Sequence, residues 1–328
     1  MAKFKVVVTD PGYKSYEGEK RILAAAGAEL AGPVVWKDPC ELLAGCHGAH
    51  GLLVRQAPID RAVIENLPEL KVIARYGIGV DNVDLAAATA RGVVVANVLG
   101  YCVEEVSDQA LALVLACARK LVDHDKRVRA GEWDIGPKDP VFRLAGKTFG
   151  LVGYGSIPRR LHEKVMGWRF RVLVHDPYLK PEAAKQAGVQ LVDLETLLKE
   201  SDYVSVHAPS NKETFHMINA GRLALMKPTA VLVNTARGPV IDEAALAAAL
   251  KKGRPASAGI DVYEKEPLPA DSPLRKLPNV VLTDHAGWYS EESIQELQEE
   301  TAKAAAAVLA GERPKSCVNP KVYEKLGK

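Results

Sequence analysis

The stretch LVGYGSIPRR, residues 151–160, decides the fold because it nearly repeats the glycine fingerprint of a dinucleotide-binding βαβ unit. Gly153 and Gly155 stand at the first two glycine positions of the G-x-G-x-x-G pattern, and Pro158 stands at the third. The apolar run KTFGLVG leads into the turn, and the helical pattern PRRLHEKVMG follows it. A strand, a glycine turn and a helix in this order predict a phosphate-binding turn at a helix N-terminus.

Pro158 is compatible with the start of such a helix. Proline lacks an N–H group, but the N–H groups of a first helical turn have no acceptor within the helix, and the φ angle of proline suits that turn. Its ring is bulkier than glycine, so we expect the helix to stand slightly off the strand and the turn to bind its ligand less tightly. The predicted cofactor turn comprises Gly153, Tyr154, Gly155, Ser156 and Ile157.

Asp176 ends the next strand pattern, RVLVHD, about twenty residues after the turn, where the dinucleotide fold places an acidic residue. A carboxylate there accepts hydrogen bonds from the adenosine ribose and repels a 2′-phosphate, which favours NAD over NADP. The alternative is a purely structural Asp176 that caps the turn before Pro177.

Short β-branched runs alternate with amphipathic helical patterns along the chain. This alternation predicts an α/β fold with parallel sheets, arranged as two Rossmann-like domains. The first series of strand patterns is FKVVVTD, GLLVR, LKVIAR and VVVAN; the second is KTFGLVG, RVLVHD, VQLV, YVSVHA, AVLVNTA, SAGIDV and VVLTDHA.

The boundary between the domains is predicted from two helical patterns. One long pattern, EEVSDQALALVLACARKLVDHDKRVRAG, lies between the two series, and Gly131 ends it. A final pattern, SEESIQELQEETAKAAAAVLAG, follows the last strand of the second series, so we expect it to pack back on the first domain. The prediction is a substrate-binding domain of residues 1–100 and 288–328, an NAD-binding Rossmann domain of residues 101–287, and a ligand cleft between them.

Composition excludes several classes of protein. The 328 residues have a net charge of +2 without a long basic run, which predicts neither a nucleic-acid partner nor a membrane partner. The five cysteines form no C-x-x-C pair, so we expect free thiols in a reducing compartment and no metal site. The N-terminus leads directly into a strand pattern, and we expect a cytoplasmic protein.

Six motifs follow one another along the chain: RYGIGVDNVDLAAATARGVVVAN, GYGSIPRR with HDPY, VHAPSNKET, VNTARGPVIDEAAL, GIDVYEKEP and TDHAGWYSEES. In this order they resemble the D-isomer-specific 2-hydroxyacid dehydrogenase family. HAGWYSEES is most similar to the branch of the C-terminal binding proteins, and RYGIGVDNVD is also similar to phosphoglycerate dehydrogenases. The departures are Pro158 for glycine, Leu99 for the usual proline, and VSD at 106–108 for the usual Val-Ala-Glu.

The resemblance places Arg237, Glu266 and His285 at the family's catalytic positions. A histidine exchanges a proton near neutral pH, and a carboxylate beside it fixes its tautomer and favours its charged form. A guanidinium group grips a carboxylate through two hydrogen bonds. Taken singly, the three side chains are open to structural interpretations: a strand-end cap, a solvated charge and a buried histidine.

The resemblance also implies binding residues around that centre. Asp261 is expected to hold the nicotinamide carboxamide, and Ile78 and Gly79 to meet the substrate carboxylate through their backbone. Arg55 and Arg75 are expected nearby, although structural salt bridges remain open for both. Trp288 is expected either to shape the substrate pocket or to pack at the domain junction. The remaining cofactor-side residues are His207, Ala208, Pro209, Thr214, Thr235 and Ala236.

Together these features predict an NAD-dependent D-2-hydroxyacid dehydrogenase that interconverts a D-2-hydroxy acid and its 2-oxo acid. The family is usually dimeric, and the apolar pattern EEVSDQALALVLACARKL fits either a homodimer interface or core packing. One alternative is an NAD(H)-sensing protein of the C-terminal binding protein type with little turnover. The other is a short-form 3-phosphoglycerate dehydrogenase. The particular 2-hydroxy acid does not follow from the motifs.

Overall fold

A computed structural model describes residues 2–134 and 140–327. The strands are β1 (Phe4–Val8), β2 (Ala28–Ala31), β3 (Gly51–Val54), β4 (Val72–Arg75), β5 (Val94–Ala96), β6 (Thr148–Val152), β7 (Arg171–His175), β8 (Gln190–Leu191), β9 (Tyr203–Val206), β10 (Val231–Asn234), β11 (Ser257–Ile260) and β12 (Val280–Leu282). The helices are α1 (Glu17–Ala25), α2 (Pro39–Gly45), α3 (Arg61–Glu65), α4 (Leu85–Arg91), α5 (Val103–Ala118), α6 (Leu121–Arg129), α7 (Ser156–Val165), α8 (Pro181–Gln186), α9 (Leu194–Glu200), α10 (Ala220–Leu223), α11 (Glu243–Lys251), α12 (Glu291–Leu309) and α13 (Val322–Lys325).

These elements form two compact units, each with its own sheet. The first unit contains residues 2–101 and 290–327, and the second contains residues 102–134 and 140–289. Neighbouring strands in both sheets pair in parallel, as their β-branched, two-sided apolar character requires. The α/β class with two parallel sheets is therefore confirmed.

The sheet of the first unit has the strand order β2-β1-β3-β4-β5 among the described residues. The chain moves outward from β1 to β2, then returns to β3 and continues to the other edge. The order reverses between β1 and β3, and open α/β sheets bind ligands at the carboxyl ends of strands beside such a reversal. Fully buried Val7, Leu52 and Ile73 lie at the centre of this sheet.

The final helix completes the first unit, as predicted. Ser290 and Ser293 form a capping box, in which each side chain hydrogen-bonds the backbone N–H of the other, and this starts α12. The buried residues Leu297, Ala302 and Ala305 then pack α12 against α1 and the central strands. The small side chains let the helix approach the sheet closely.

The sheet of the second unit has the order β12-β11-β10-β9-β6-β7-β8 in the described part of the chain. Its strand order reverses between β6 and β9, so the glycine turn after β6 lies at the reversal. The helix α5 covers one face, with Leu113 and Val114 buried in the same cluster as Phe149 and Val233. The apolar stripe of α5 is therefore core packing within this unit.

One sequence prediction was wrong in detail, and one strand was missed. The helix predicted to run unbroken to Gly131 is divided into α5 and α6, because Lys120 adopts a left-handed conformation (φ 52°) between them. The strand β2, AELA, was not predicted, since it contains no β-branched residue and its alanines are equally compatible with a helix.

In the part of the chain that the structure describes, no helix has both the length and the apolar character needed to cross a membrane.

Candidate functional site

Most of the predicted cofactor-side and catalytic residues of the second unit lie at one edge of its sheet. Parallel strands all end at the same edge, so residues that directly follow them are brought together. Gly153 follows β6, Asp176 follows β7, His207, Ala208 and Pro209 follow β9, Thr235, Ala236 and Arg237 follow β10, Asp261 follows β11, and His285 follows β12.

The glycine turn is tight because two strand ends meet there. Gly153 has φ 92°, which favours glycine, and a Cβ atom on it would lie 3.1 Å from the backbone carbon of His207. A Cβ atom on Gly155 would meet no protein atom within 4 Å, so the space in front of this residue is open. The helix α7 begins directly afterwards with Ser156 and Ile157, whose N–H groups face outward from the first turn. This geometry fits a dinucleotide phosphate.

Pro158 is the third residue of α7 and is buried. The first backbone bond of the helix runs from the N–H of Arg159 to the carbonyl of Gly155 at 3.2 Å, so proline displaces no helical hydrogen bond. The helix therefore starts normally despite the missing glycine. The effect of Pro158 on cofactor affinity stays a prediction.

Asp176 connects the glycine turn to the end of β7. One carboxylate oxygen accepts a hydrogen bond from the N–H of Tyr154 at 2.8 Å, and the other accepts one from the N–H of Tyr178, also at 2.8 Å. Asp176 thus caps the turn at Pro177 and Tyr178 and fixes the glycine turn at the same time. Each carboxylate oxygen has further acceptor capacity for a ribose hydroxyl.

The loop after β9 contains a neutral histidine. Burial lowers the pKa of His207 to about 3, and its Nε2 lies 2.8 Å from the hydroxyl of Ser205. Farther along, the hydroxyl of Thr214 donates to the carbonyl of Pro209 at 2.5 Å and accepts from the N–H of Asn211 at 2.9 Å. His207 and Thr214 therefore shape this loop and carry no positive charge into the site at neutral pH.

The turn after β10 is organised by a residue that the sequence analysis missed. The side chain of Asn234 donates to the carbonyl of Arg237 at 3.0 Å and accepts from the N–H of Ala236 at 3.0 Å. Arg237 in turn donates from Nη1 to the carbonyl of Ala236 at 2.8 Å. The hydroxyl of Thr235 is buried without a protein partner in the described structure. A polar residue closing a buried strand was the available signal for Asn234.

Glu266 and His285 form the central pair of the site. His285 Nδ1 lies 2.7 Å from Glu266 Oε2, and both side chains are a little over one-third exposed, at 38% and 37%. An ionised carboxylate only accepts hydrogen bonds, so the proton belongs on Nδ1 of the neutral ring, and Nε2 is the atom that can exchange a proton with a ligand. The structure thus brings together two residues that the sequence analysis paired.

The environment of Glu266 keeps its carboxyl group ionised. Burial acts to raise its pKa, but hydrogen bonds from His285 and from the N–H of Tyr263 (3.0 Å) act to lower it. The positive charge of Arg237 adds to the lowering, and the resulting pKa lies below the ordinary value for glutamate. Glu266 is therefore a carboxylate throughout the neutral range, and Arg237 is near enough to influence it.

Asp261 lies beneath the loop that presents His285. This buried carboxylate accepts hydrogen bonds from the hydroxyl of Thr283 at 2.5 Å and from the N–H groups of Ala286 and Gly287 at 3.0 Å each. The expected contact of Asp261 with a carboxamide stays a prediction. The structure assigns it a second role, as the anchor of the histidine loop.

The predicted substrate residues of the first unit also lie at a carboxyl edge. Arg55 follows β3, and its side chain lies along Gly12, where a Cβ atom would be 2.7 Å from Arg55 Cδ. Arg75 ends β4 and its guanidinium group lies directly over Gly77. Burial raises the pKa of Tyr13 above its ordinary value even though the charges of Arg55 and Arg75 act to lower it. The charges of both guanidinium groups therefore act on the same phenol group.

The loop of Gly77, Ile78 and Gly79, which is expected to bind the substrate carboxylate, is held by hydrogen bonds to its carbonyl groups. The carbonyl of Ile78 accepts from the side chain of Asn97 at 2.6 Å, and the carbonyl of Gly77 accepts from the N–H of Val98 at 3.1 Å. Both contacts use carbonyl groups. The N–H side of Ile78 and Gly79 is the side expected to meet an anion.

Trp288 belongs to the second unit and is partly exposed. Its ring contacts the ring of Tyr289 edge-on, with centroids 5.9 Å apart, and Tyr289 is itself 52% exposed. The alternatives of a pocket wall and a packing residue therefore both stay predictions.

Within residues 2–134 and 140–327, no group of three or more His, Cys, Asp or Glu side chains is arranged to hold a metal ion.

Comparison with known proteins gives a consistent result. Residues 111–287 match the family model described as D-isomer specific 2-hydroxyacid dehydrogenase, NAD binding domain. A glyoxylate reductase of Thermococcus litoralis is 44% identical over 270 residues, which cover 80% of this chain and 81% of the relative. A D-3-phosphoglycerate dehydrogenase of Methanocaldococcus jannaschii is 38% identical over 328 residues, covering 99% of this chain and 61% of the relative.

A solved structure shows the same likeness over nearly the whole chain. It is a D-lactate dehydrogenase from Aquifex aeolicus complexed with NAD and lactic acid. The TM-score is 0.85 at 27% sequence identity, and the match covers 96% of this chain and 99% of that one.

Proposed function

Because the chain belongs to the D-isomer specific 2-hydroxyacid dehydrogenase family, and is thus an NAD(P)-dependent oxidoreductase, we propose that it reduces a small 2-oxo acid to the D-2-hydroxy acid. The 2.7 Å contact of His285 with an ionised Glu266, near Arg237, is the observation that carries the proposal. In this arrangement His285 can supply a proton and Arg237 a positive charge at the carboxyl edge of the sheet that contains the glycine turn. Both are required where a carbonyl is reduced.

The proposed cofactor is NAD. The open space at Gly155 and the first N–H groups of α7 suit a pyrophosphate, and the carboxylate of Asp176 suits an unphosphorylated ribose. The buried hydroxyl of Thr235 has spare hydrogen-bonding capacity on the nicotinamide side. When bound, the cofactor supplies the hydride, and the protein supplies the proton and the orientation.

We propose that His285 is the acid in reduction and the base in oxidation. Glu266 holds Nδ1, so that Nε2 of the imidazolium ring donates its proton to the substrate oxygen. The negative charge of Glu266 favours the imidazolium form that this step consumes. Arg237 binds the substrate carboxylate and polarises the adjacent carbonyl through its fixed fork of donors.

The proposed substrate is small, and glyoxylate leads the candidates because the relatives include glyoxylate reductases. Binding of its carboxylate is assigned to the backbone of Ile78 and Gly79, helped by the positive charges of Arg55 and Arg75. We propose that Trp288 limits the size of the substrate side chain through its flat apolar surface.

A 3-phosphoglycerate dehydrogenase is the second candidate. It is favoured by the 38% identity to the relative of that name and by two guanidinium groups at one strand edge, which suit a second anionic group. That relative is longer than this chain, since the match covers 61% of it. A phosphorylated substrate would need Arg55 and Arg75 far more than glyoxylate would.

We also propose a homodimer, with α6 in its interface. This helix has no buried residue in the described structure, and Leu121, Val122 and Val128 are exposed on it. Trp133 and Phe142 are exposed nearby in the sequence, Trp133 at 90%. Apolar side chains in such number at a surface are typical of a protein–protein contact.

Analytical ultracentrifugation of the wild type and of Val128→Asp tests the proposed homodimer. A monomeric wild type contradicts it.

The central experiment is NADH oxidation against glyoxylate, hydroxypyruvate, its 3-phosphate, pyruvate and bulkier 2-oxo acids. We expect the highest kcat/KM for a small unphosphorylated acid. A preference for the 3-phosphate moves the assignment to the second candidate. Negligible turnover across the whole panel, with tight NADH binding, contradicts both and supports an NAD(H) sensor.

A further inference from the structure

His285 has a backbone conformation that needs support from its surroundings. Its φ angle is 58°, in the left-handed region that residues other than glycine rarely adopt. Its N–H donates to the carbonyl of Asp261 at 2.8 Å. A side chain bound only through Glu266 could still rotate away with its loop, so the position of the ring depends on what fixes this backbone.

A chain of hydrogen bonds that starts at Asp261 holds this backbone in place. Asp261 accepts from the N–H groups of Ala286 and Gly287, directly after the histidine, and from the hydroxyl of Thr283, just before it. The hydroxyl of Thr283 in turn accepts from the side-chain amide of Gln109 at 3.0 Å. Gln109 belongs to α5 and lies 174 residues away in the sequence.

The donor and the acceptor of each hydrogen bond between Gln109, Thr283 and Asp261 follow from their chemistry. An ionised carboxylate can only accept, so the proton of Thr283 must point to Asp261, and the amide of Gln109 must donate to the remaining lone pairs of that hydroxyl. A donor bound to the hydroxyl polarises it and strengthens its bond to the carboxylate. The geometry of the histidine loop is thereby tied to a rigid helix of the core.

We propose that Thr283 and Gln109 are positioning residues for His285, acting through the carboxylate of Asp261. The inference rests on the proposed role of His285 as acid and base. Neither side chain touches the imidazole ring, so neither is a catalytic residue. Their effect is to hold Nδ1 at hydrogen-bond distance from Glu266 and Nε2 toward the substrate.

The inference has a specific consequence for pH dependence. The charged groups near His285 among the described residues of this unit include Glu266 in direct contact, Asp261, which anchors the loop, Asp284, next to it in sequence, and Arg237, whose charge acts on Glu266. Of these, only Glu266 makes a hydrogen bond to the ring. If the loop loosens, that contact weakens and the imidazolium form is less favoured. The alkaline limb of the reduction profile should then move to lower pH.

Thr283→Val tests the proposal, because valine has the shape of threonine without its hydroxyl. Thr148→Val is the matched control: Thr148 is also hydrogen-bonded, by Arg171 Nε at 3.3 Å, and is more deeply buried than the half-buried Thr283, but it opens β6 at the amino edge of the same sheet. We expect kcat to fall roughly tenfold or more in Thr283→Val, as misplacement of a catalytic group does, with NADH affinity unchanged. Thr148→Val should keep the wild-type kcat. Thr283→Ser, which retains the hydroxyl, should restore most of it.

A second readout does not need turnover. The ring signals of His285 can be followed in ¹H–¹³C NMR spectra and are assigned by their loss in His285→Gln. Thr283→Val and Gln109→Leu should each shift these signals, and Thr148→Val should not. Gln109→Leu should also lower kcat, by less than Thr283→Val, and add little to it in the double variant because both act through one chain.

The possible results separate this inference from the proposed function. If wild type and Thr148→Val reduce 2-oxo acids and Thr283→Val does so equally well with unchanged His285 signals, the positioning role is wrong and the function stands. A loss confined to NADH affinity also overturns it, since Asp261 would then serve the cofactor alone. If wild type reduces no substrate, the proposed function fails, and the NMR comparison alone decides whether the chain positions the ring.

Discussion

The two sheets reverse their strand order in the same manner, yet their carboxyl edges contain different chemistry. In the first unit the reversal lies between β1 and β3, and the edge presents the guanidinium groups of Arg55 and Arg75. In the second unit it lies between β6 and β9, and the edge presents a glycine turn and the pair of Glu266 and His285. The shared architecture determines where ligands bind, and the loops determine which chemistry each edge performs.

The edges also differ in how their side chains are held. His285 is fixed through its ring by Glu266 and through its backbone by Asp261. Arg55 lies along Gly12, and its guanidinium group makes a long contact, 3.5 Å, with the carbonyl of Pro11. Tightly fixed groups suit a step in which a proton must move along a set direction, whereas a less constrained cation suits binding of an anion. Substitutions of the tightly held Glu266 and His285 should therefore lower kcat, and substitutions of Arg55 should raise KM.

The largest effect is expected for His285→Ala, which removes the proposed acid. Loss of a general acid costs about 10²–10⁴-fold in rate, so kcat for 2-oxo acid reduction should fall by that order. NADH binding, measured by fluorescence titration, should persist. His216→Ala is the matched control, since His216 forms another histidine–glutamate pair in this unit, 3.0 Å from Glu264, and should leave kcat unchanged. Equal losses in the two variants would remove the distinction on which the site rests.

The two edges are compared directly by Arg237→Lys and Arg55→Lys. Lysine keeps the positive charge and loses the two-pronged contact. We expect Arg237→Lys to lower kcat/KM on the order of tenfold to a hundredfold, through both kcat and KM, because a charge-assisted bidentate contact is lost. Arg55→Lys should raise KM with kcat retained. Steady-state kinetics on the preferred acid decides between these patterns, and a fall in kcat alone for Arg55→Lys contradicts the binding role of the first edge.

The cofactor preference should respond to Asp176→Asn, which removes the charge and keeps an acceptor for one of its N–H partners. The ratio of kcat/KM for NADH to that for NADPH should fall by about tenfold, since a carboxylate no longer opposes a 2′-phosphate. Asp193→Asn, at the cap of α9, controls for the loss of a capping carboxylate and should not change the ratio. A wild type that uses NADPH as well as NADH is incompatible with the NAD assignment.

The smallest effect is expected for Pro158→Gly. The helix already starts normally with proline, so restoring the glycine should leave kcat unchanged and tighten NADH binding by about 1 kcal/mol or less. Glycine also costs about 0.5–1 kcal/mol of folding stability at a helical position, which thermal unfolding will show. If only the glycine variant binds NADH, proline disables the turn and the interpretation of residues 151–160 is wrong.

The strands could be predicted because a buried parallel strand needs β-branched residues on both faces. Each strand pattern quoted from the sequence is a strand in the structure, whereas β2, built from AELA, lacks that signal. The break between α5 and α6 was missed because Lys120 takes up φ 52° with no glycine or proline beside it to indicate a turn. Local composition does not encode such a break.

The individual residues of the site could be predicted, because each of them follows the end of a predicted strand. His285 and Glu266 could be named because their motifs are recognisable, and their separation of 2.7 Å then follows from the fold. The anchoring chain could not be predicted, since Gln109 and Thr283 meet only when α5 packs on the sheet. A glutamine in an amphipathic helix gives no sign of a partner 174 residues away. Tertiary packing supplies that information.

The pH profile of Glu266→Gln tests the central claim most directly, namely that an ionised Glu266 sets the protonation of His285. Because the pKa of Glu266 lies below its ordinary value, the carboxylate is charged across the neutral range and favours imidazolium, which reduction requires. Glutamine keeps the shape and removes the charge. We predict that the alkaline limb of kcat/KM for reduction moves to lower pH, and that the rising limb for oxidation, which needs the neutral ring, moves in the same direction. Profiles that overlay those of the wild type in both directions would show that Glu266 does not control His285 and would contradict the account.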